Sequence, residues 1–266
     1  ILETARRLTE MKRGSKYLPG LEKTAHFLRD FLQDLGCEVE LHYDETYGNT
    51  VIGRKKGTGK MKLLWYAHMD TVWSDPERQV PFRIEGDKAY GAGISDCTHG
   101  LLASLYTLKA LNELGFDQYG ELTILFNPDE ELTSPSSTKW LKACAKGQDL
   151  AICMEGPERA DQFTTARAGS AYYEINITGK MAHAGVNPEE GANALVEMTY
   201  KHNEILAKEF PDVYLVLCWI RGGSGDCCVA DNAYAMLRYR IKTWDVKPEI
   251  DAFLQSVEAK TFVPGT

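Results

Sequence analysis

Three short, nearly continuous apolar runs stand out in the first part of the chain: Lys62–Ala67, Glu121–Phe126 with LTILF at its centre, and Asp149–Met154. Runs of this length without polar alternation predict strands buried on both faces. Between them, Leu101, Leu102, Leu105, Leu108, Leu111 and Leu114 surround a helix over 101–114 that Gly115 ends, and a further helix is expected around Lys139–Ala145. Upstream, Leu21, Ala25, Leu28, Phe31, Leu32 and Leu35 recur at helical spacing from Pro19 to Leu35, and Gly36 stops the pattern. Val39–Tyr43 and Thr50–Gly53 read as short strands, with Arg54-Lys55-Lys56 in a solvated, Gly-rich turn that continues through Gly57-Thr58-Gly59. Phe82–Gly91 reads as a hairpin turned by Glu85-Gly86-Asp87. Strands that alternate with helices predict an α/β unit: a mainly parallel sheet with flanking helices and right-handed crossovers.

After Arg159 the pattern changes. Ala171–Thr178 alternates as a half-buried strand, and Asn187-Pro188-Glu189-Glu190 supplies a helix cap with Pro in the first turn. The helix that follows keeps Leu195, Met198, His202 and Ile205 on one face. Val213–Ile220 and Val229–Ile241 predict two strands and Pro248–Lys260 a helix. Strand, helix, strand, strand, helix is a split ferredoxin-like unit one strand short. Two domains are therefore expected, residues 1–165 and an inserted α+β domain over 166–266.

In a parallel α/β sheet the functional groups gather beyond the carboxyl ends of the strands. That rule brings scattered residues to one rim. His68 and Asp70 follow the first core strand, Glu130 and Glu131 follow LTILF, Glu155 follows LAICM, and Asp96 lies in the loop before the buried helix. A His beside an Asp after a strand is by itself an ordinary hydrogen-bonding pair, and Asp129-Glu130-Glu131 by itself an ordinary solvated turn. Three strand ends that deliver His or Glu to the same edge favour a metal site instead, with Asp70 orienting the His68 imidazole. Adjacent glutamates can divide the work, one carboxylate on the cation and the other on a reacting water.

Composition narrows the class further. A net charge of −8 without a basic cluster argues against a nucleic-acid surface and suits cation binding. No stretch approaches the roughly 20 apolar residues of a membrane span. Seven cysteines are an odd number without disulfide-framework spacing, and no charged-then-apolar leader follows Ile1, so free thiols and a cytoplasmic protein are expected.

The blocks HMDTV (68–72), PFRIEGDKAYGAGISD (81–96), LTILFNPDEE (122–131), MEGP (154–157) and ITGKMAHAGVNPEEGANALVE (177–197) resemble the dinuclear zinc exopeptidases and deacylases. That family includes glutamate carboxypeptidase, acetylornithine deacetylase and succinyl-diaminopimelate desuccinylase, and the resemblance is strongest to bacterial glutamate carboxypeptidases. It implies two Zn²⁺ per complete chain, with His68, Asp96 and Glu155 on one and Asp96 bridging to a second that Glu131 also binds. It implies further that Glu130 is the general base and Asp70 the carboxylate behind His68. His183 would stabilise the oxyanion in a partner subunit's site, and Arg240 would grip the substrate's carboxylate. A homodimer through the second domain and a small peptide or N-acyl amino acid substrate with a free carboxylate follow from the same resemblance.

The chain departs from the family pattern in places. Cys97-Thr98-His99-Gly100 stands where an acidic or small residue and then Lys-Gly-Gly are usual, Leu132–Ser137 lacks the expected glycines, and Cys227 and Ala230 replace a lid Asn and Pro. The final His for the second zinc has no counterpart, since His26, His42, His99 and His202 fall elsewhere, and the last strand of the second domain is missing. A fragment is the expectation, holding one zinc by its own residues. The function expected is hydrolysis of an amide next to a free carboxylate, glutamate carboxypeptidase-like. N-acyl amino acid deacylation is the alternative, and a degenerate ligand-binding or dimerising homologue is a third reading.

Overall fold

The apolar runs at 62–67 and 121–126 form the centre of a five-stranded sheet in the computed structural model, which describes residues 1–157 and 162–266. The change of pattern at Arg159 lies outside the described residues. The chain divides into two compact units, Ile1–Phe163 and Thr164–Thr266.

The first unit opens with α1 (Leu2–Glu10) and α2 (Leu18–Asp34), followed by β1 (Glu38–His42), β2 (Thr50–Lys56) and β3 (Lys62–His68). The hairpin β4 (Arg83–Glu85) and β5 (Lys88–Tyr90) turns at Gly86, whose φ of 61° suits glycine. Then come α3 (His99–Glu113), β6 (Glu121–Asn127), α4 (Thr138–Ala145) and β7 (Leu150–Cys153). The sheet order is β1-β2-β6-β3-β7. Strands β6, β3 and β7 run parallel; β2 is antiparallel to β6, and β1 is antiparallel to β2, so β2 alone opposes the others. Buried side chains cover both faces. Leu21, Ala25, Leu28 and Leu32 of α2 and Leu101, Leu105 and Leu108 of α3 pack with Trp65, Ala67, Ile124 and Phe126. Ile52, Leu64 and Leu125 point the other way, toward Cys144, Trp140 and Leu141 of α4.

Three expectations change here. Arg54-Lys55-Lys56 continues β2 instead of turning: Arg54 Nη1 donates to Glu40 Oε1 at 2.6 Å, and Lys55 Nζ to the Leu35 carbonyl at 2.6 Å. β7, expected as a third buried strand, is exposed along its length because the sheet order leaves it at an edge. Helix α1 has no forecast counterpart; it buries Thr4, Ala5, Leu8 and Thr9, a narrow stripe half made of threonine.

The second unit contains β8 (Gly169–Thr178), α5 (Ala194–Ala207), β9 (Val213–Gly222), β10 (Asn232–Ile241) and α6 (Lys247–Glu258). Its antiparallel sheet has the order β8-β10-β9, and Leu237, Tyr239 and Ile241 of β10 pack with Ile205 of α5 and Ile250 and Val257 of α6. The capping expectation is corrected. Asn187-Pro188-Glu189-Glu190 forms a short turn, and α5 begins later under Asn193, whose Oδ1 accepts from the backbone N–H groups of Leu195 and Val196 at 3.0 and 3.1 Å. Residues 229–231, expected as strand, precede β10 as loop.

Candidate metal centre

Parallel pairing carries the candidate residues of the first unit to one place. His68 ends β3 opposite Asn127, the last residue of β6, and Met69 N donates to the Asn127 carbonyl at 2.7 Å. On the other side Met154 N donates to the Tyr66 carbonyl at 2.8 Å, so Glu155 follows directly beside the end of β3. Among the described residues, the turn at 129–132 and the loop at 91–98 complete the rim.

Asp70 is the hub. Its carboxylate, fully buried, accepts from His68 Nδ1 at 3.2 Å, from the backbone N–H groups of Glu130 and Glu131 at 3.0 and 3.2 Å, and from Ser15 Oγ at 2.8 Å. One side chain thus fixes both the imidazole and the adjacent glutamates. Asp129, expected at most as part of a solvated turn, is also fully buried. It accepts from Ser136 N at 2.6 Å, Ser137 N at 3.1 Å and the Ser137 hydroxyl. These bonds shape the glycine-free loop, in which Thr133 and Ser134 take left-handed backbone at φ 69° and 55°.

The imidazole of His68 tests whether a cation fits. Its Nδ1 lies 3.1 Å from the Asp70 carbonyl, an acceptor only, so Nδ1 carries the proton and Nε2 is left with a lone pair. Two further acceptors close on that same Nε2: Asp96 Oδ1 at 2.8 Å and Glu155 Oε1 at 3.1 Å. Two carboxylate oxygens that close on one ring nitrogen favour a positive charge there, a second ring proton or a metal ion. The donor set of imidazole and carboxylates suits a divalent metal. His68, Asp96 and Glu131 bring ligand atoms within 4.8 Å of one another, as do His68, Cys97 and Glu155. Glu130 is in neither set.

The electrostatics carry the same message. Burial opposes charge on His68, but its hydrogen bonds to Asp70 and Glu155 outweigh that and push its pKa up to about 12. Burial, then the charge of Asp96, raises Glu131 to about 7. Glu130 is also raised, first by burial and then by Glu155, Asp70 and Asp96 against the opposing pull of His68. Burial pushes the Cys97 thiol up to about 12. Glu130 and Glu131 therefore hold protons more readily than free carboxylates, and a cation bound beside them would compete with those protons.

Arg13, which sequence reasoning missed, supports this rim from behind. It is fully buried, donates to the carbonyls of Leu8, Met69 and Gly93 at 3.1, 2.6 and 3.3 Å, and reaches the Thr98 hydroxyl. Its pKa is lowered to about 10 by burial, against the opposing pull of Cys97, Asp70 and Asp96. Thr98, in the place of the family's usual Lys, passes that contact on by donating to the Gly93 carbonyl at 2.6 Å. His183 and Arg240 lie in the second unit. His183 is exposed, and its Nδ1 accepts from Gly185 N at 3.1 Å. Arg240, exposed on β10, donates to Ser170 Oγ at 3.3 Å.

Residues 64–254 match the sequence model of peptidase family M20/M25/M40. The chain belongs to this family. Carboxypeptidase G2 from Pseudomonas sp. (strain RS-16) is 39% identical over 201 residues, covering 74% of this chain and 48% of that protein. Acetylornithine deacetylase from Aliivibrio salmonicida is 32% identical over 197 residues, covering 72% of this chain and 49% of that one. The chain therefore spans about half the length of the curated M20 relatives it matches. In three dimensions the M20 metallo-carboxypeptidase Sso-CP2 from Sulfolobus solfataricus superposes with a TM-score of 0.76 at 16% identity, covering 98% of this chain and 76% of its own. The mixed α/β architecture is that of M20 peptidases. Among the described residues no helix is long and apolar enough to cross a membrane.

Proposed function

We propose that the protein is a zinc-dependent hydrolase that cleaves an amide bond next to a free carboxylate, as a glutamate carboxypeptidase does. The observation that carries this reading is the convergence of Asp96 Oδ1 and Glu155 Oε1 on His68 Nε2, with Nδ1 tied to Asp70. Membership of a peptidase family and 39% identity to carboxypeptidase G2 support the reaction class. His68, Asp96 and Glu155 would hold one zinc, and Asp96 with Glu131 would contribute to a second. A cation held there supplies a Lewis acid for the scissile carbonyl and acidifies a reacting water.

The chain's own groups do the rest. Asp70 keeps the His68 proton on Nδ1 and fixes the backbone of the turn at 130–131. Glu130, raised by burial, takes a proton from the attacking water and passes it to the leaving amine. Roles for His183 at the oxyanion and for Arg240 at the substrate carboxylate belong to the same proposal, as does a homodimer through the second unit. Tyr214, Val216 and Ile220 leave an exposed apolar stripe along β9, which supports the dimer.

The 32% identity to acetylornithine deacetylase favours one alternative, removal of an acyl group from an amino acid. A panel of N-acyl glutamates, acetyl-amino acids and succinyl-amino acids separates the two by relative kcat/KM. The carboxypeptidase reading expects the acyl-glutamates to lead; preference for a short acyl group on varied amino acids would transfer the assignment to the deacylase.

A further inference from the structure

Cys97 follows Asp96 directly and is fully buried, yet its sulfur is placed with the polar groups of the rim. A buried cysteine in an apolar core is ordinarily an inert small hydrophobe. Here Sγ, a ring nitrogen of His68 and a carboxylate oxygen of Glu155 all lie within 4.8 Å of one another. Sγ also lies 3.7 Å from the carbonyl of Met154, the residue before Glu155. Gly100 preserves this approach, because a Cβ at that position would come within 2.6 Å of Sγ and 2.3 Å of the Met154 carbonyl. The two donor sets at His68 also differ in preorganisation. The Asp96 side chain is 64% exposed, whereas Cys97 is held in place by packing on all sides.

We propose that Cys97 Sγ is a ligand of the divalent cation held by His68 and Glu155, and that it tunes this site toward thiophilic cations such as zinc and cadmium over manganese. The inference rests on the reading above that the cluster holds a cation. Thiolate is a soft donor, and its preference for zinc over manganese exceeds that of a carboxylate. Binding breaks the S–H bond, forms a sulfur–metal bond and sends the proton to solvent. A thiol here departs from the family pattern that the sequence resembles, in which the position after the bridging Asp is usually acidic or small.

Cobalt(II) reports the donor atoms, because thiolate ligation gives an intense near-ultraviolet charge-transfer band that oxygen and nitrogen donors lack. The chain is loaded with cobalt by equilibrium dialysis, bound cobalt is counted by elemental analysis, and the spectrum is compared with that of Cys97→Ser. The band is expected in the unaltered chain and absent from Cys97→Ser at equal bound cobalt. Competition between cadmium and manganese is expected to shift by about tenfold or more toward manganese in the variant. Cobalt bound without the band, or a band that survives Cys97→Ser, overturns the sulfur ligand and leaves the cation reading intact. Failure to bind cobalt at all overturns both. If Cys97→Ser does not fold, the unaltered chain is alkylated at its exposed cysteines before loading; the band is expected to persist, and its loss overturns the proposal.

Discussion

Glu130→Gln is expected to lower kcat/KM for an N-acyl glutamate by about 10²- to 10⁴-fold while leaving cation content unchanged. The substitution keeps the shape of the side chain and removes only its ability to take a proton. Glu130 sits beside Glu131 in a turn whose backbone N–H groups are anchored on Asp70, so its position does not depend on its own charge. It is in neither group of candidate ligands, whereas Glu131 shares one with His68 and Asp96. Elemental analysis and steady-state kinetics on the same preparation check both halves. Full activity in a metal-replete Glu130→Gln protein would remove Glu130 from the chemistry.

Asp70→Ala is expected to act through two routes, and both effects are large. Cation affinity should fall by about 10- to 100-fold, because the carboxylate that orients the His68 imidazole and places a negative charge behind Nδ1 is lost, and the backbone carbonyl of residue 70 remains as its one acceptor. Stability should fall by about 3 kcal/mol or more, since the backbone N–H groups of Glu130 and Glu131 and the Ser15 hydroxyl all lose a buried, charged acceptor. Zinc titration and chemical denaturation of the metal-free protein measure the two separately. Asp70→Asn should lose part of each effect, because it keeps one acceptor oxygen but turns an amide N–H toward groups that donate. A variant with unchanged zinc affinity would make Asp70 a purely structural residue.

Much of the rim could be read in the sequence because its residues obey a simple rule. An apolar run marks a core strand, a parallel sheet sends its functional groups to the carboxyl end, and His68, Glu130, Glu131 and Glu155 each follow such a run. What escaped was whatever bonds to backbone or returns from a distance. The bonds from Glu130 N and Glu131 N to Asp70 leave no side-chain pattern, so the central place of Asp70 was legible only as support for His68. Arg13 touches residues as remote as Thr98, and nothing in its local stretch, an irregular segment just after the helix with the threonine-rich buried stripe, signals burial. Asn187 and Asn193 both have the chemistry of a cap. The helix chose Asn193, while Asn187 Oδ1 accepts from His183 N at 3.2 Å and Asn187 Nδ2 donates to Glu190. β7 has the composition of a buried strand, but burial depends on sheet order, which composition does not encode. The missing glycines at 132–137 are offset by Asp129, whose buried carboxylate organises a loop that includes two left-handed non-glycine residues.

The place of His68 at the centre of a cation site is tested most directly by zinc content after equilibrium dialysis, the unaltered chain beside His68→Ala, with circular dichroism to verify that both are folded. A full equivalent of zinc is expected in the first and a loss of that equivalent in the second. Equal zinc in a folded His68→Ala chain, or none in either, would contradict the metal centre.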